Sequence, residues 1–287
     1  MYRISPFTPI FFSPSDDNHG ARPKCVQVFS STDRILIEDI LTDVEVYVNM
    51  FPFLIIRNVL TGYETKYYWN EWLMNPTTKL RFIELQGLED GLYVALIGGI
   101  FKSAEFMVSS DKDVLQDTVL IQCSNSDNRQ RNDAVFWING MQRFFDFRIP
   151  GGFKDDNWTF AVNNEQFTTN FNDKIDLYGQ ESTIKALTIG NSEGCPVWFA
   201  DLVNRMLCCN YVYVDGVRYT RNESDVPEMN CEVEGQKSYI FTQGLQRVMN
   251  LDPELEKRNL LIMRRVGIAD YRANTIGDVQ QNLYIQV

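Results

Sequence analysis

A β-hairpin can be recognised in the run Tyr211-Val212-Tyr213-Val214-Asp215-Gly216-Val217-Arg218-Tyr219. The β-branched and aromatic residues on both sides of Asp215-Gly216 favour two strands. Asp-Gly is a preferred pair for a two-residue hairpin turn, because both central positions require positive φ angles. The run therefore predicts an antiparallel hairpin and points to a fold built on sheets.

One helix is predicted just before this hairpin. Ser192 is a suitable N-cap residue, and Pro196 is tolerated in the first turn. Trp198, Leu202 and Met206 recur at intervals of four residues, so they share one face of a helix. This apolar face predicts a short helix near residues 193–208 that packs against a sheet.

Strand patterns occur at close spacing along most of the chain. Alternating or continuous apolar runs occupy residues 25–29, 34–40, 92–97 and 119–123, and residues 182–189 have a strand pattern of mixed polarity. Residues 114–117 and 166–177 are predicted to be strands as well. Short strands separated by glycine, asparagine and proline are typical of sandwiches and barrels. We therefore expect a mainly β fold with two β-sandwich or barrel-like domains, one short packed α-helix and extended termini.

Chain length is consistent with two domains, since 287 residues exceed the ~100–200 residues of one typical domain. The predicted segments are an extended N-terminal arm (residues 1–22), a first β domain (23–112), a second β domain with the helix (113–238) and a C-terminal extension (239–287). Within the extension, residues 252–258 have a helix-like pattern and residues 260–263 a strand-like one. Its last residues are apolar, so we expect the C-terminus to be docked on the folded protein.

The charge of the chain argues against two classes of partner. The net charge is −11 and the isoelectric point about 4.7. An acidic chain repels phosphate groups, so we expect neither nucleic acid nor an anionic membrane as partner. The best candidate for a local basic patch is formed by Lys257, Arg258, Arg264 and Arg265.

The N-terminal arm lacks the features of a targeting signal. Prolines interrupt its apolar residues, and no small-residue cleavage site follows them. No window of the chain approaches the ~20 apolar residues of a membrane-spanning helix. We therefore expect synthesis in the cytoplasm and a soluble product. Ile10, Phe11 and Phe12 need a surface to cover them, and we predict that they interact with another subunit or with a second domain.

Residues that support catalysis are scarce. The single histidine, His19, lies in the predicted arm, and neither a Gly-x-Ser-x-Gly elbow nor a glycine-rich phosphate loop occurs. The six cysteines include no Cys-x-x-Cys pair and are expected to be thiols in a reducing compartment. We therefore predict no catalytic residue, no metal site and no cofactor, and we expect that the protein is not an enzyme.

Aromatic residues cluster at Tyr63, Tyr67, Tyr68, Trp69 and Trp72. Flat aromatic faces stack on sugars or anchor protein contacts. Strand alternation alone sends about half of such residues into a core. Trp69 and Trp72 are candidate interaction residues on this basis.

Two stretches resemble a known group of proteins. They are Ala134-Val135-Phe136-Trp137-Ile138 with Phe147-Arg148-Ile149-Pro150-Gly151-Gly152-Phe153, and Leu187-Thr188-Ile189-Gly190-Asn191-Ser192-Glu193-Gly194-Cys195-Pro196-Val197-Trp198 continuing to Tyr219. With the layout of residues 23–235, they resemble virion proteins encoded beside tail genes in phages of gut Bacteroidetes bacteria. The resemblance implies a tail or baseplate component, similar to a distal tail protein, made of β-sandwiches and assembled in a ring. It brings no catalytic or ligand-binding residue.

Three functions are therefore considered. The first is a structural subunit of a phage virion, made in the host cytoplasm and located in the virion, with other virion subunits as partners in a homo-oligomeric ring. The second is a carbohydrate-binding β-sandwich module, with a host glycan as partner. The third and weakest is a glycan-processing enzyme, because acidic residues are numerous enough to form carboxylate pairs by chance.

Overall fold

The computed structural model describes residues 2–14, 26–42, 52–129, 134–138, 140–190, 194–222, 228–233 and 238–248. Strands make up 61% of the structure and helices 7%, so the mainly β prediction is confirmed. Among the described residues the strands form three large sheets and one small two-stranded sheet. The predicted C-terminal extension lies outside the described residues after Val248.

We call the first large sheet the inner sheet. Its four strands, in the order β1-β4-β8-β7, are β1 (Tyr2–Ile4), β4 (Ile35–Thr42), β8 (Thr78–Leu85) and β7 (Asn70–Asn75). All its neighbouring strands are antiparallel. β4 is buried along most of its length, which indicates that both faces of this sheet are covered.

The outer sheet packs on one face of the inner sheet. Its strands are β2 (Phe12–Pro14), β3 (Gln27–Ser30), β5 (Phe53–Asn58), β6 (Glu64–Tyr68), β9 (Gly91–Ile97), β10 (Phe101–Ser103) and β11 (Phe106–Ser109). Ile35 and Ile83 of the inner sheet meet Leu54, Ala95 and Phe106 of the outer sheet in one core. The two sheets therefore form a β-sandwich.

The third sheet, called the curled sheet, follows in the chain. It consists of β12 (Thr118–Ser124), β15 (Phe145–Thr168), β16 (Lys174–Ile189), β17 (Tyr211–Val214), β18 (Val217–Arg221), β19 (Glu228–Val233) and β20 (Ser238–Arg247). Its order is β16-β15-β12-β17-β18-β20-β19, and β16 also pairs with β20, so the sheet curls back on itself. A small hairpin of β13 (Trp137–Ile138) and β14 (Met141–Gln142) lies beside it.

The inner sheet contributes to a second core on its other face. Leu36, Leu80 and Phe82 pack there with Phe145 and Phe147 of the curled sheet. Burial of apolar side chains on both faces places the inner sheet in the middle of three layers. The two halves of the chain therefore share a hydrophobic core.

The predicted helix and hairpin are confirmed. Helix α2 (Val197–Met206) follows the short helix α1 (Lys112–Leu115), and β17 and β18 pair across Asp215-Gly216. Asp215 has φ 46° and Gly216 has φ 79°, as a two-residue turn with two positive φ angles requires. The predicted N-cap was wrong: the helix starts at Val197 with Pro196 in the N-cap position, four residues after Ser192, and no side chain caps it.

Two strand predictions were wrong in detail. Residues 114–117 form the end of α1 and the turn after it, because the Asp111 side chain caps this helix by accepting from the amide of Asp113. Residues 166–177 are not one strand, since the chain reverses between Thr168 and Lys174. Within the described part of the chain, no helix has the length and hydropathy needed to cross a membrane.

Candidate functional site: a protruding β-ribbon

A long hairpin leaves the curled sheet. β15 pairs with β12 only as far as Pro150, and β16 pairs with β20 only between Ile184 and Ile189. Beyond these points β15 and β16 continue to pair with each other as far as Thr168 and Lys174. Residues 159–183, which we call the ribbon, are therefore two-stranded within the described structure. Ten residues per strand extend about 30 Å at the usual rise of a strand.

The ribbon exposes an unusual amount of apolar surface. Its large apolar side chains are between 47% and 89% exposed. They are Phe160, Val162, Phe167, Phe171, Ile175, Leu177 and Tyr178. Single exposed apolar residues are common on protein surfaces, but a contiguous group of them marks an interaction site.

Both faces of the ribbon carry apolar residues. Residues that pair across antiparallel strands share a face, so Phe167 and Ile175 lie together on one face. Val162 lies on the opposite face, five residues away along β15. Its Cγ1 atom would be 3.9 Å from a Cβ atom added at Gly179, which places these two residues side by side. A single flat partner surface cannot cover both faces.

A β-bulge shifts the register of strand pairing within the ribbon. Glu165 pairs with Tyr178 and Gln166 pairs with Asp176, so Leu177 is an extra residue on β16. On the tip side of the bulge, a side-chain hydrogen bond joins the paired residues: the Nε2 atom of Gln166 donates to Oδ1 of Asp176 over 2.7 Å. Bulges increase the local twist and redirect side chains, and they are common next to functional sites.

The tip is an ordered turn with Phe171 at its most exposed point. The Thr169 hydroxyl accepts hydrogen bonds from the amides of Phe171 and Asp173. The Thr169 amide donates to the Asp173 carbonyl, and Asn172 adopts φ 63°, a conformation that asparagine tolerates well. Phe171 is 89% exposed, so the turn presents an aromatic ring to the solvent.

The ribbon is acidic. Residues 159–183 contain Glu165, Asp173, Asp176 and Glu181 but only one basic residue, Lys174, which gives a net charge of −3. Each of these charged side chains is exposed. A partner surface that is apolar and basic would therefore complement the ribbon in both respects.

The predicted contact residues of the arm lie against the chain itself. Ile10 is buried in the sandwich core, and Phe12 is half-buried in β2, which pairs with β10. Phe11 is half-buried and packs against Trp198 of α2, with ring centroids 5.6 Å apart. The arm is also anchored at the carbonyl of Pro6, which accepts a hydrogen bond from Arg205 over 3.0 Å.

Trp69 and Trp72 occupy different environments. The half-buried Trp69 ring lies over the guanidinium group of Arg81, 4.6 Å from the ring centroid. Arg81 is buried and makes two hydrogen bonds to the carboxylate of Asp39, which also accepts one from the Tyr2 hydroxyl. Burial raises the pKa of Asp39, although Arg81 and Tyr2 favour its charged form. Trp72 lies in the edge strand β7 and is 37% exposed.

A second group of buried charged residues lies where the two halves meet. The carboxylate of Asp146 in β15 accepts hydrogen bonds from the Arg34 amide and the Gln122 side chain. Burial raises the pKa of Asp146 to about 7, against the lowering effect of Arg34 and Gln122. Arg34 also donates to the carbonyl of Phe144 over 3.1 Å. These groups already bind one another, which is typical of structural polar networks.

The ribbon was not identified from the sequence. The polar run Thr168-Thr169-Asn170-Phe171-Asn172-Asp173 is the signal that indicates its turn, since asparagine and aspartate favour chain reversals. No group of histidine, cysteine, aspartate and glutamate suited to a metal ion occurs among the residues that the structure describes. No protein-family model matches the chain, and no curated protein and no solved structure matches it either.

Proposed function

We propose that this protein is a structural subunit that assembles through protein–protein contacts, and that the ribbon is its contact arm. The main support for this proposal is the exposure of apolar residues on both faces of the ribbon. A two-stranded hairpin is only marginally stable by itself in water. Its strand edges also offer hydrogen-bonding groups that readily pair with another chain. Contact with a neighbouring subunit would stabilise the hairpin and pair its strand edges.

The expected contact is heterologous. An arm that reaches about 30 Å from the curled sheet inserts into a surface of the neighbour that differs from the arm itself. Repetition of such a contact produces a ring where the rotation closes and a filament where it does not. A homo-oligomeric ring is the assembly that agrees with the resemblance to tail proteins described above.

We place this subunit in the tail or baseplate of a phage virion. The support is the resemblance of the segments around Trp137, Gly151 and Trp198 to tail-region virion proteins, together with a mainly β fold and a projecting arm. A subunit with this role needs neither a catalytic residue nor a cofactor. Its partners are copies of itself and other virion subunits.

The test compares the mass of purified full-length variants by light scattering. We expect the wild type to form a species several times heavier than the 33.3 kDa chain. The double variant Phe167→Ser/Phe171→Ser should be a monomer with an unchanged thermal melt, because both side chains are exposed. Leu60→Ser is the matched control, since Leu60 is 79% exposed but lies outside the ribbon.

Two results would reject the proposal. A wild type that stays monomeric at all concentrations, and that is missing from a virion preparation analysed by mass spectrometry, excludes an assembly subunit. A wild-type oligomer that survives in the ribbon variant excludes the ribbon as its contact arm. Loss of the oligomer in Leu60→Ser as well would show that replacing any exposed apolar side chain by serine breaks the assembly, and the ribbon would then have no special role.

A carbohydrate-binding module is the second candidate. It is favoured by the exposure of Tyr63, Tyr68 and Trp72. Tyr63 precedes β6 of the outer sheet and Tyr68 ends it, however, and Trp72 belongs to the inner sheet. A sugar platform normally needs adjacent rings, so this arrangement ranks second. Saturable binding on a glycan array that is lost in Tyr68→Ala, with the oligomeric mass unchanged, would favour it.

A further inference from the structure

Two aromatic rings meet inside the curled sheet, at the end from which the ribbon projects. Phe153 of β15 and Tyr219 of β18 pack with their ring centroids 5.1 Å apart. β15 and β18 are not neighbours in the sheet, so this pair closes the hydrophobic core across the curl. Tyr219 is buried, whereas Phe153 is half-buried and keeps part of its ring accessible.

Basic side chains lie next to both rings. The Nζ atom of Lys185 in β16 is 5.4 Å from the centroid of the Phe153 ring. Arg247 in β20 is the cross-strand partner of Tyr219. Burial raises the pKa of Tyr219, and the positive charge of Arg247 acts against this rise, as expected for a guanidinium group close to the hydroxyl. The aromatic pair therefore lies between two positive charges.

A third basic residue, Arg221 of β18, faces the same way. The buried Leu245 pairs with Lys185 on one side and with Arg221 on the other, and paired residues share a face. Arg247 comes two residues after Leu245, so it faces the inside of the curl as well. Lys185 and Arg221 are separated by two strand spacings, about 10 Å.

We call this group the receptor site; it consists of Phe153, Lys185, Tyr219, Arg221 and Arg247. Its three basic residues give it a charge of +3. The Nη1 atom of Arg221 donates to Oδ1 of Asn204 over 2.7 Å, which ties this side chain to helix α2. Along the same face of β16, the first acidic residue is Glu181, about 13 Å from Lys185. The receptor site is therefore both aromatic and basic.

The ribbon tip has the complementary character. Residues 165–176 contain three acidic residues and one lysine, which gives a net charge of −2. The exposed ring of Phe171 lies among them. Opposite charges around an aromatic contact would match the two surfaces in charge and in apolar character.

A ribbon tip cannot reach the receptor site of its own chain. The receptor site lies where the ribbon begins, and the ribbon extends about 30 Å away from it as paired strands. The tip that binds there has to come from another copy.

We propose that the receptor site binds the ribbon tip of a second copy of this chain. Phe171 of one copy packs against Phe153 of the next, and the carboxylates of the tip face the three basic residues. An apolar centre with a polar rim is the usual anatomy of a protein interface. This inference rests on the proposed function, because it names the surface that the contact arm binds. Tip and receptor site are different surfaces, so the contact is heterologous and repeats from copy to copy.

Charge reversal in full-length protein, followed by light scattering, tests this contact. We expect both the receptor variant Arg221→Glu/Arg247→Glu and the tip variant Asp173→Lys/Asp176→Lys to be monomers of 33.3 kDa. Asp173 contributes backbone groups to the hydrogen bonds of the tip turn, so its substitution leaves those bonds in place. Thermal melts check that each variant is folded.

An equimolar mixture of the two variants is the decisive sample. The acidic receptor site of one variant then meets the basic tip of the other, and the unchanged tip and receptor site of the two variants also fit. We expect the mixture to recover the mass of the wild type, which neither variant reaches alone. Lys102→Glu/Lys112→Glu is the matched control, because it reverses two exposed basic residues elsewhere and should keep the wild-type mass.

The outcomes separate this inference from the proposed function. A monomeric wild type rejects both. A wild-type oligomer that persists in the receptor variant overturns this inference alone, as does a mixture that stays monomeric. Dissociation of the control variant would show that the assembly responds to net charge and not to the receptor site. A receptor variant that keeps its mass but no longer enters virions would assign the site to a different subunit and would also overturn the inference.

Discussion

Arg148 in β15 binds Asp33, which lies between β3 and β4, through two hydrogen bonds. Its Nε atom donates to Oδ2 over 2.6 Å, and its Nη2 atom donates to Oδ1 over 3.0 Å. Both side chains are largely buried. Because the two residues belong to different halves of the chain, this ion pair joins the sandwich to the curled sheet.

The ion pair should contribute strongly to stability. Asp33→Ala leaves the Arg148 guanidinium buried without its carboxylate, and we expect a loss of about 3 kcal/mol in the free energy of unfolding. The control is Glu64→Ala, which removes an exposed ion pair with Arg57 and should cost less than about 1 kcal/mol. Urea denaturation measures both. Equal effects of the two substitutions would show that the junction does not depend on this pair.

Stability should depend on pH through Asp146. Burial raises its pKa in the folded state to about 7, above the value of an unfolded aspartate, so the folded state binds the extra proton between these values. This contribution is fully present below about pH 4 and is lost as the pH rises through about 7. We expect the free energy of unfolding to be on the order of 2 kcal/mol lower at pH 8 than at pH 5 from this group alone. Asp146→Asn should remove that difference, and a pH dependence equal to that of the wild type would contradict the assignment.

Helix α2 should be more sensitive at Phe199 than at Trp198. The sequence pattern suggested Trp198 as a buried residue, but it is only half-buried and packs against Phe11 and Phe147. Phe199 is 1% exposed and meets Phe147 edge to face, with ring centroids 5.3 Å apart. We expect Phe199→Ala to cost about 3–5 kcal/mol and Trp198→Ala less. The melting temperatures of the two variants rank them, and the reverse order would place Trp198 in the core after all.

Two adjacent glycines should respond very differently to substitution. Gly151 has φ 133°, and a Cβ atom there would lie 2.1 Å from the carbonyl oxygen of Thr188. Gly151→Ala should therefore cost about 3 kcal/mol or more, because backbone has to move. A Cβ atom at Gly152 meets nothing within 4 Å, so Gly152→Ala should change stability by less than about 1 kcal/mol. Denaturant titrations of the two variants test this, and similar stabilities would show that strand pairing at Gly151 can relax.

Local interactions explain which features could be predicted from the sequence. The Asp215-Gly216 turn depends on two positive φ angles that few other residue pairs accept, so the residues themselves indicate the hairpin. The spacing of Leu202 and Met206 likewise places both residues on one helix face, and both are buried. The high content of β-branched and aromatic residues predicts a mainly β chain.

The tertiary structure alone decided how the strands combine. Leu36 and Ile37 are both buried, on opposite faces of β4, because sheets cover the inner sheet on both sides, and local alternation does not reveal the second cover. The exposure of the ribbon could not be predicted from the sequence for a similar reason. Val162 and Phe167 fit the pattern of an ordinary strand, and only the points at which β12 and β20 stop pairing leave these side chains exposed. Turns and helix faces depend on neighbours in the chain, whereas burial depends on segments that are distant in sequence and are brought together only by folding.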